Sequence, residues 1–120
     1  MPEPKTFPKA LRLRSPQQFA NVYASGIYAA DQTLVINLLA NGLTTSRMGL
    51  SIPKLSGDAP TRNKWKRYCR EAFRLQQHDL PVGIDFVVRP RKGAKPVADS
   101  VADSLKALLC RGASKLEAGS

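Results

Sequence analysis

Histidine occurs once in this sequence, at His78, and cysteine twice, at Cys69 and Cys110. No CxxC pair is present, so the ligand set of a structural zinc site is missing. Two cysteines 41 positions apart do not make a disulfide framework, and both are expected to be free thiols. Acidic residues are scarce as well, 9 against 19 Lys and Arg. Asp58, Glu71, Asp79 and Asp85 fall singly in predicted loop, helix and strand, with no DxD grouping. A nuclease that holds its own catalytic Mg²⁺ needs clustered carboxylates, so cleavage of a phosphodiester by this chain alone is not expected. No catalytic residue and no metal ligand is assigned. No apolar run reaches the ~18 residues of a membrane span. The opening "MPEPKTFPKALRLR" lacks the apolar core of a signal peptide, and the expected location is the cytoplasm.

What is present is positive charge. The 120 residues carry a net charge of +10, with 42% hydrophobic residues, enough for one domain with a modest core. So large an excess points to a polyanionic partner and destabilises the compact state by self-repulsion. Residues 1–10 hold three prolines and read as a flexible arm. "SPQQFANVYASG" announces a first helix: Ser15 as cap, Pro16 in the first turn, Gln18 completing a capping box and Gly26 as the stop. Leu34–Leu39 and Met48–Ile52 read as an antiparallel pair with a turn at Asn41-Gly42. A helix follows the loop 55–60 and runs to about Gln77. Residues 84–89 alternate as a strand, with Ile84, Phe86 and Val88 inward. A final helix over 97–110 carries Val97, Val101, Leu105 and Leu108 or Leu109 on one stripe. Residues 111–120 read as a flexible tail. The expected order is α-β-β-α-β-α, an α+β sandwich with helices on a small sheet.

The segment "TRNKWKRYCREAFR", 61–74, concentrates the chemistry. At about 100° per residue, Arg62, Lys66, Arg70, Asn63, Arg74 and Arg67 fall within an arc of about 140°. Trp65, Tyr68, Cys69, Ala72 and Leu75 gather opposite, with Phe73 at the border and Lys64 off the basic arc. A charge run is ordinarily a solvated face. Here Arg62, Lys66 and Arg70 repeat like charge at i,i+4, which is unfavourable, and Glu71 relieves only Arg67. Cations in that arrangement fit phosphates, whose binding releases counterions, and arginine adds a planar fork for phosphate oxygens. Trp65 reads as a core anchor, Cys69 as a small buried apolar residue and His78 as a surface residue.

"RNKWKRYCREAFR" after "SGDAPT" resembles the signature of the protein subunit of bacterial ribonuclease P, with Gly57, Arg62, Asn63, Lys66, Arg67 and Arg70 matching. "RLRSPQQFANVY", "RMGLSIPKLSG" and "PVGIDFVVRPR" resemble the family's first helix, the strand and loop before the basic helix, and the strand after it. The likeness covers residues 11–110. Two positions depart: Lys64 stands where Arg is usual, which keeps charge and loses the fork, and Pro60 replaces a small aliphatic residue. The resemblance implies a ribosomal-protein-like fold with a left-handed βαβ crossover through the basic helix. It implies a protein that assists a larger catalytic RNA in removing the 5′ leader from precursor tRNA, with Mg²⁺ held mainly by the RNA. By the same likeness Arg62, Asn63, Lys64, Lys66, Arg67, Arg70 and Arg74 would face the catalytic RNA.

Phe19 and Tyr23 match the aromatic positions of the family's leader cleft. Their i,i+4 spacing puts them on one helix face, where unpaired bases could stack; the ordinary alternative is core packing. Asn37, Ser51 and Lys54 would floor the cleft, and Arg12 and Arg14 would steer the leader backbone. The partners expected are the ribonuclease P RNA and precursor tRNA, with no membrane and a monomeric protein. A structural RNA-binding protein of ribosomal type fits charge and fold class equally well. A helix-turn-helix DNA binder does not, because a strand and loop precede the basic helix.

Overall fold

The computed structural model describes residues 11–118; the expected arm, residues 1–10, lies outside them. Three helices and four strands follow in the order α1 (Pro16–Ala24), β1 (Ile27–Ala30), β2 (Leu34–Ala40), β3 (Arg47–Leu50), α2 (Ala59–Gln76), β4 (Ile84–Pro90) and α3 (Ala98–Ala118). Short 3₁₀ turns precede and follow α2 at Lys54–Ser56 and Gln77–Asp79. The α+β class is as expected, with one strand more than the sequence reading. The segment "IYAA" of β1 is four residues long and half alanine, too short and too weak in β-propensity to register.

The strand order is β1-β2-β4-β3. β4 lies antiparallel to β2 and parallel to β3. The expected antiparallel pairing of 34–39 with 48–52 is therefore not formed. Asn41 explains the outcome. Its N–H donates to Gly83 O (2.9 Å), and its Nδ2 donates to Asp85 Oδ1 (2.8 Å) and Thr45 O (3.1 Å). The residues read as a hairpin turn instead bind β4 and the loop before it, and β4 enters between β2 and β3. Arg47 seals the same corner with a two-pronged ion pair to Asp85, Nε–Oδ1 2.8 Å and Nη2–Oδ2 2.6 Å. β3, α2 and β4 thus make a parallel βαβ unit, the unit on which the expected crossover falls.

One sheet face carries Leu34, Ile36, Leu38, Met48, Ile84, Phe86 and Val88 into the main core, beneath α2 and α3. On the other face Val87 packs with Leu13 and Val22, and Phe19 and Leu39 lean on that cluster. Residue 87 was expected to face outward from a one-sided strand. α1 covers this end of the second face, so β4 is buried on both sides there. The capping box of α1 forms as read: Gln18 N–H donates to Ser15 Oγ (3.1 Å), and Ser15 N–H donates to Gln18 Oε1 (3.0 Å).

α3 starts after Val97, which is exposed rather than on the buried stripe, and continues well past residue 110. The expected flexible tail is thus corrected over 111–118; residues 119–120 lie outside the described region. Gly112, inside α3, is a point of close approach. A Cβ there would collide with the Leu38 side chain, so glycine lets α3 lie directly over β2. Beside it, Arg111 Nη1 donates to Ala30 O (3.2 Å) and Lys115 Nζ to Tyr28 O (2.7 Å), tying α3 to the edge strand β1.

Asp85 is 5% exposed and serves both Arg47 and Asn41. Replacing it by alanine strands both partners. Asp85→Ala should cost about 2–3 kcal/mol in urea unfolding and lower Tm by roughly 10 °C; a change under about 0.5 kcal/mol would mean that the corner is held by β-pairing alone.

Candidate nucleic-acid interface

Asp58 starts α2, its side chain accepting from Thr61 N–H at 3.0 Å. The hydrogen bonds from Thr61, with help from Lys64 and Arg62, hold its carboxyl below the usual aspartate range. The helix therefore begins at Ala59, before the basic run, with Pro60 in the first turn. Gly57 leaves the preceding 3₁₀ turn at φ 136°, a conformation open to glycine.

The buried residues of α2 are Trp65, Cys69, Ala72 and Phe73. Tyr68 is half-buried, and Leu75, expected inside, is exposed. The buried stripe is thus rotated toward Phe73 and Arg62, and the basic face rotates with it. At about 100° per residue, Arg67 marks the outward pole, with Lys64 and Arg70 about 60° to either side. Lys64 belongs to the exposed face after all, while Lys66 sits half-buried on its flank and Arg62 half-buried on the packed side. Asn63, Lys64, Arg67, Arg70 and Arg74 are exposed. Arg67 lies over the Tyr68 ring, 5.1 Å from its centroid, which steadies the guanidinium in its outward position. Trp65 and Cys69 are inside as expected, and His78 is at the surface.

Of the other candidates, Arg12 and Phe19 line one hollow and Asn37 another, while Tyr23, Ser51, Lys54 and Arg14 line neither. The smaller, about 180 Å³, is lined by Arg12, Leu13, Phe19, Met48, Leu50 and Arg70. Arg12 is fixed by a parallel bridge to Met48, and Phe19 lies on Gly49, where even a Cβ would press within 2.7 Å of its ring. Phe19 is therefore part packing residue and part wall. Arg70 of the basic helix and Arg12 of the expected leader surface meet here, so the two surfaces join. Tyr23, one turn along α1, is 40% exposed.

The larger hollow is a groove of about 790 Å³ over the part of the sheet that α1 leaves open. Asn37 is in its floor, beside Val35 and next to Tyr28 in register, and its Oδ1 is buried without a hydrogen-bond partner. Arg89, Arg91, Lys92 and Lys95 line one side and Pro53, Leu55 and Ser56 another; no carboxylate lines it among the described residues. Lys54 is exposed between Pro53 and Leu55. Ser51 lines neither hollow; its N–H extends the sheet by donating to Val88 O (2.9 Å). Arg14 is exposed at the start of α1, its N–H bonded to Gln18 Oε1. Tyr28 and the basic residues 89–95 are not among the site residues expected from sequence. Tyr28 is hidden there by the unrecognised β1, whereas "RPRKGAK" is legible as a basic loop but has no assigned place.

Among the described residues no three His, Cys, Asp or Glu side chains group as a metal site, and no helix is long and apolar enough to cross a membrane. The arrangement is a cationic helix face joined through Arg70 and Arg12 to the α1 cleft, with a second groove of apolar floor and basic rim on the same sheet face as α1.

The model of the Ribonuclease P family matches residues 7–112. The ribonuclease P protein component of Photobacterium profundum is 40% identical over 94 residues, covering 78% of this chain and 79% of that protein. The RNase P protein of Thermotoga maritima, solved in complex with 1-(4-fluorophenyl)-2-thiourea, superposes with a TM-score of 0.78 at 34% identity, over 83% of this chain and 98% of that one. The Staphylococcus aureus RNase P protein superposes with a TM-score of 0.76 at 30% identity, over 86% and 95%. The chain belongs to the ribonuclease P protein family. Membership implies a role in tRNA processing, within an endoribonuclease complex.

Burial pushes the Cys69 thiol up to about 12, against the opposing pull of Arg70. Its folded value lies above its ordinary one of 9.0, so it affects stability only at high pH, withdrawing it as pH rises past about 9. At neutral pH the thiol stays protonated and shielded. A thiol reagent should therefore label one cysteine per native chain, the exposed Cys110, and two after unfolding; two labelled natively would mean that α2 opens readily from the sheet.

Proposed function

We propose that this chain is the protein component of a ribonucleoprotein that cuts the 5′ leader from precursor tRNA, binding the RNA subunit through α2 and the single-stranded leader through the α1 cleft and the groove. The observation that carries this reading is the junction of the two surfaces at Arg12 and Arg70. One molecule of this size can then touch the catalytic RNA and the substrate strand together.

The chemistry of the chain supports a division of labour. Two of the four carboxylates in and around α2 are committed, Asp85 to Arg47 and Asp58 to the helix cap. Activation of water by Mg²⁺, hydrolysis of the phosphodiester and release of a 5′-phosphate on the tRNA are assigned to the RNA subunit. The protein contributes positioning. Its cations neutralise phosphates that the RNA and the leader would otherwise crowd together. Exposed rings such as Tyr23 offer stacking faces to unpaired bases, each worth roughly 1–3 kcal/mol.

Reconstitution with a bacterial ribonuclease P RNA tests this. At low Mg²⁺ the protein should stimulate leader removal by the RNA, and protein freed of RNA should cleave nothing. Absence of stimulation would favour a structural RNA-binding protein of ribosomal type. Arg67→Ala should weaken binding to the RNA and reduce the salt slope of log K by roughly 0.7–0.9 for each phosphate left without its cation; an unchanged slope would leave Arg67 facing solvent in the complex. Tyr23→Ala should weaken precursor tRNA more than mature tRNA, and equal effects on the two would remove Tyr23 from the leader path.

A further inference from the structure

A single exposed leucine carries little information. Leu55 differs in its company and its rigidity. It is 93% exposed, yet it sits in a turn with fixed ends. Ser56 N–H donates to Pro53 O (2.9 Å) and Gly57 N–H to Lys54 O (3.2 Å). Pro53 fixes the entry, and Gly57 leaves against the Thr61 side chain, which a Cβ would strike at 2.7 Å. The backbone therefore holds Leu55 out in water, on the lip of the groove.

Tyr28 stands across from it. The strand order puts β1 and β3 at opposite edges of the sheet, three spacings or about 14 Å apart; Tyr28 is in β1 and Leu55 follows β3. Tyr28 is 56% exposed, and its ring is steadied by Lys115 Nζ, 5.5 Å from the centroid. Between the two lie Val35 and Asn37, and the rim is Arg89, Arg91, Lys92 and Lys95. A cationic rim without carboxylates selects a polyanion. Apolar walls select a polyanion that bares flat apolar faces. Duplex RNA hides its bases, and an acidic peptide bares a flat face only where it carries an aromatic residue, whereas a single strand offers one beside every phosphate, which favours a single strand.

The geometry points to Leu55 and Tyr28 as opposed apolar jaws that grip bases of the unpaired leader, with its phosphates on the basic rim. This rests on the reading that the groove takes the leader, and it adds a residue and a mode of binding outside α1.

The test uses the holoenzyme reconstituted with a bacterial ribonuclease P RNA, with leader-bearing precursor tRNA and leaderless tRNA as ligands. Leu55→Ser should weaken precursor binding roughly fivefold, at the low end of base-stacking energies, and leave leaderless tRNA unaffected; Leu55→Met should retain wild-type binding. The substituted side chain is at the surface, so the fold should be undisturbed, which circular dichroism checks. Precursors abasic at single leader positions then form a cycle with Leu55→Ser. At the gripped position the effect of the substitution should vanish. Wild-type affinity of Leu55→Ser for both ligands, or a weakening that persists at every abasic position, overturns the jaw while wild-type preference for the leader-bearing substrate upholds the leader reading. A wild-type holoenzyme with equal affinity for the two ligands overturns both.

Discussion

Trp65, Cys69, Ala72 and Phe73 hold α2 to the sheet, and the direction in which the cations face depends on that burial. Phe73 meets Phe86 of β4 edge-on, ring centroids 5.3 Å apart at 78°, and Gln76 ties the helix end to α3 through Ala102 O (3.0 Å). Full burial of a large apolar side chain is worth about 1.5–3 kcal/mol, so Trp65 and Phe73 alone contribute roughly 3–6 kcal/mol as an upper figure. Like charges at i,i+4 oppose helix formation by a few tenths of a kcal/mol each; the pairs Arg62–Lys66, Lys66–Arg70 and Arg70–Arg74 amount to roughly 1 kcal/mol. Packing wins by a wide margin. The cationic face is thus a cost the fold can carry without its partner, and the basic surface is preformed rather than created by binding.

The same comparison explains what could be read from the sequence. The helix, its two sides and its chemistry are legible because Trp65, Cys69 and Ala72 recur at helical spacing among arginines. The exact rotation is not, because projection places Tyr68 and Leu75 inside and Phe73 only at the border. Only Phe86, brought in from β4, decides that Phe73 is the inner residue. Lys64 turns outward for that reason alone. The sheet is less legible for a related cause. Asn41-Gly42 has the local chemistry of a hairpin turn, but Asn41 commits its side chain to Asp85, 44 positions away, and a long-range hydrogen bond has no local signature. Gly112 has no local signature either: only the Leu38 side chain beneath it shows how closely α3 lies over β2.

Of the site itself, the helix face follows from composition and spacing, and Phe19, Tyr23 and Asn37 follow from the family likeness. The groove follows from neither. It exists because α1 covers only the end of the second sheet face, over Val87 and Leu39, and leaves Tyr28, Val35 and Asn37 open beside the basic residues 89–95. A strand read as one-sided gives no hint that its outer face is divided between a helix and a hollow.

That division bears on how one small domain could serve two RNAs. Arg70 projects from a helix anchored in the main core, while Arg12 and Phe19 belong to the segment packed on the opposite face, and both reach the same hollow of about 180 Å³. β3 lies between them: Met48 points into the main core, and Gly49, in the next position, makes room for Phe19. A polyanion on α2 would therefore neutralise a charge at the mouth of the proposed leader cleft. With net charge +10 over 120 residues, each phosphate bound on one side lowers the repulsion opposing the fold and raises its apparent stability. It also weakens the field that draws the second strand. The two effects have opposite signs for leader binding. The apolar surfaces of the groove, which salt and neutralisation do not screen, are what would keep the leader held once the RNA subunit occupies α2.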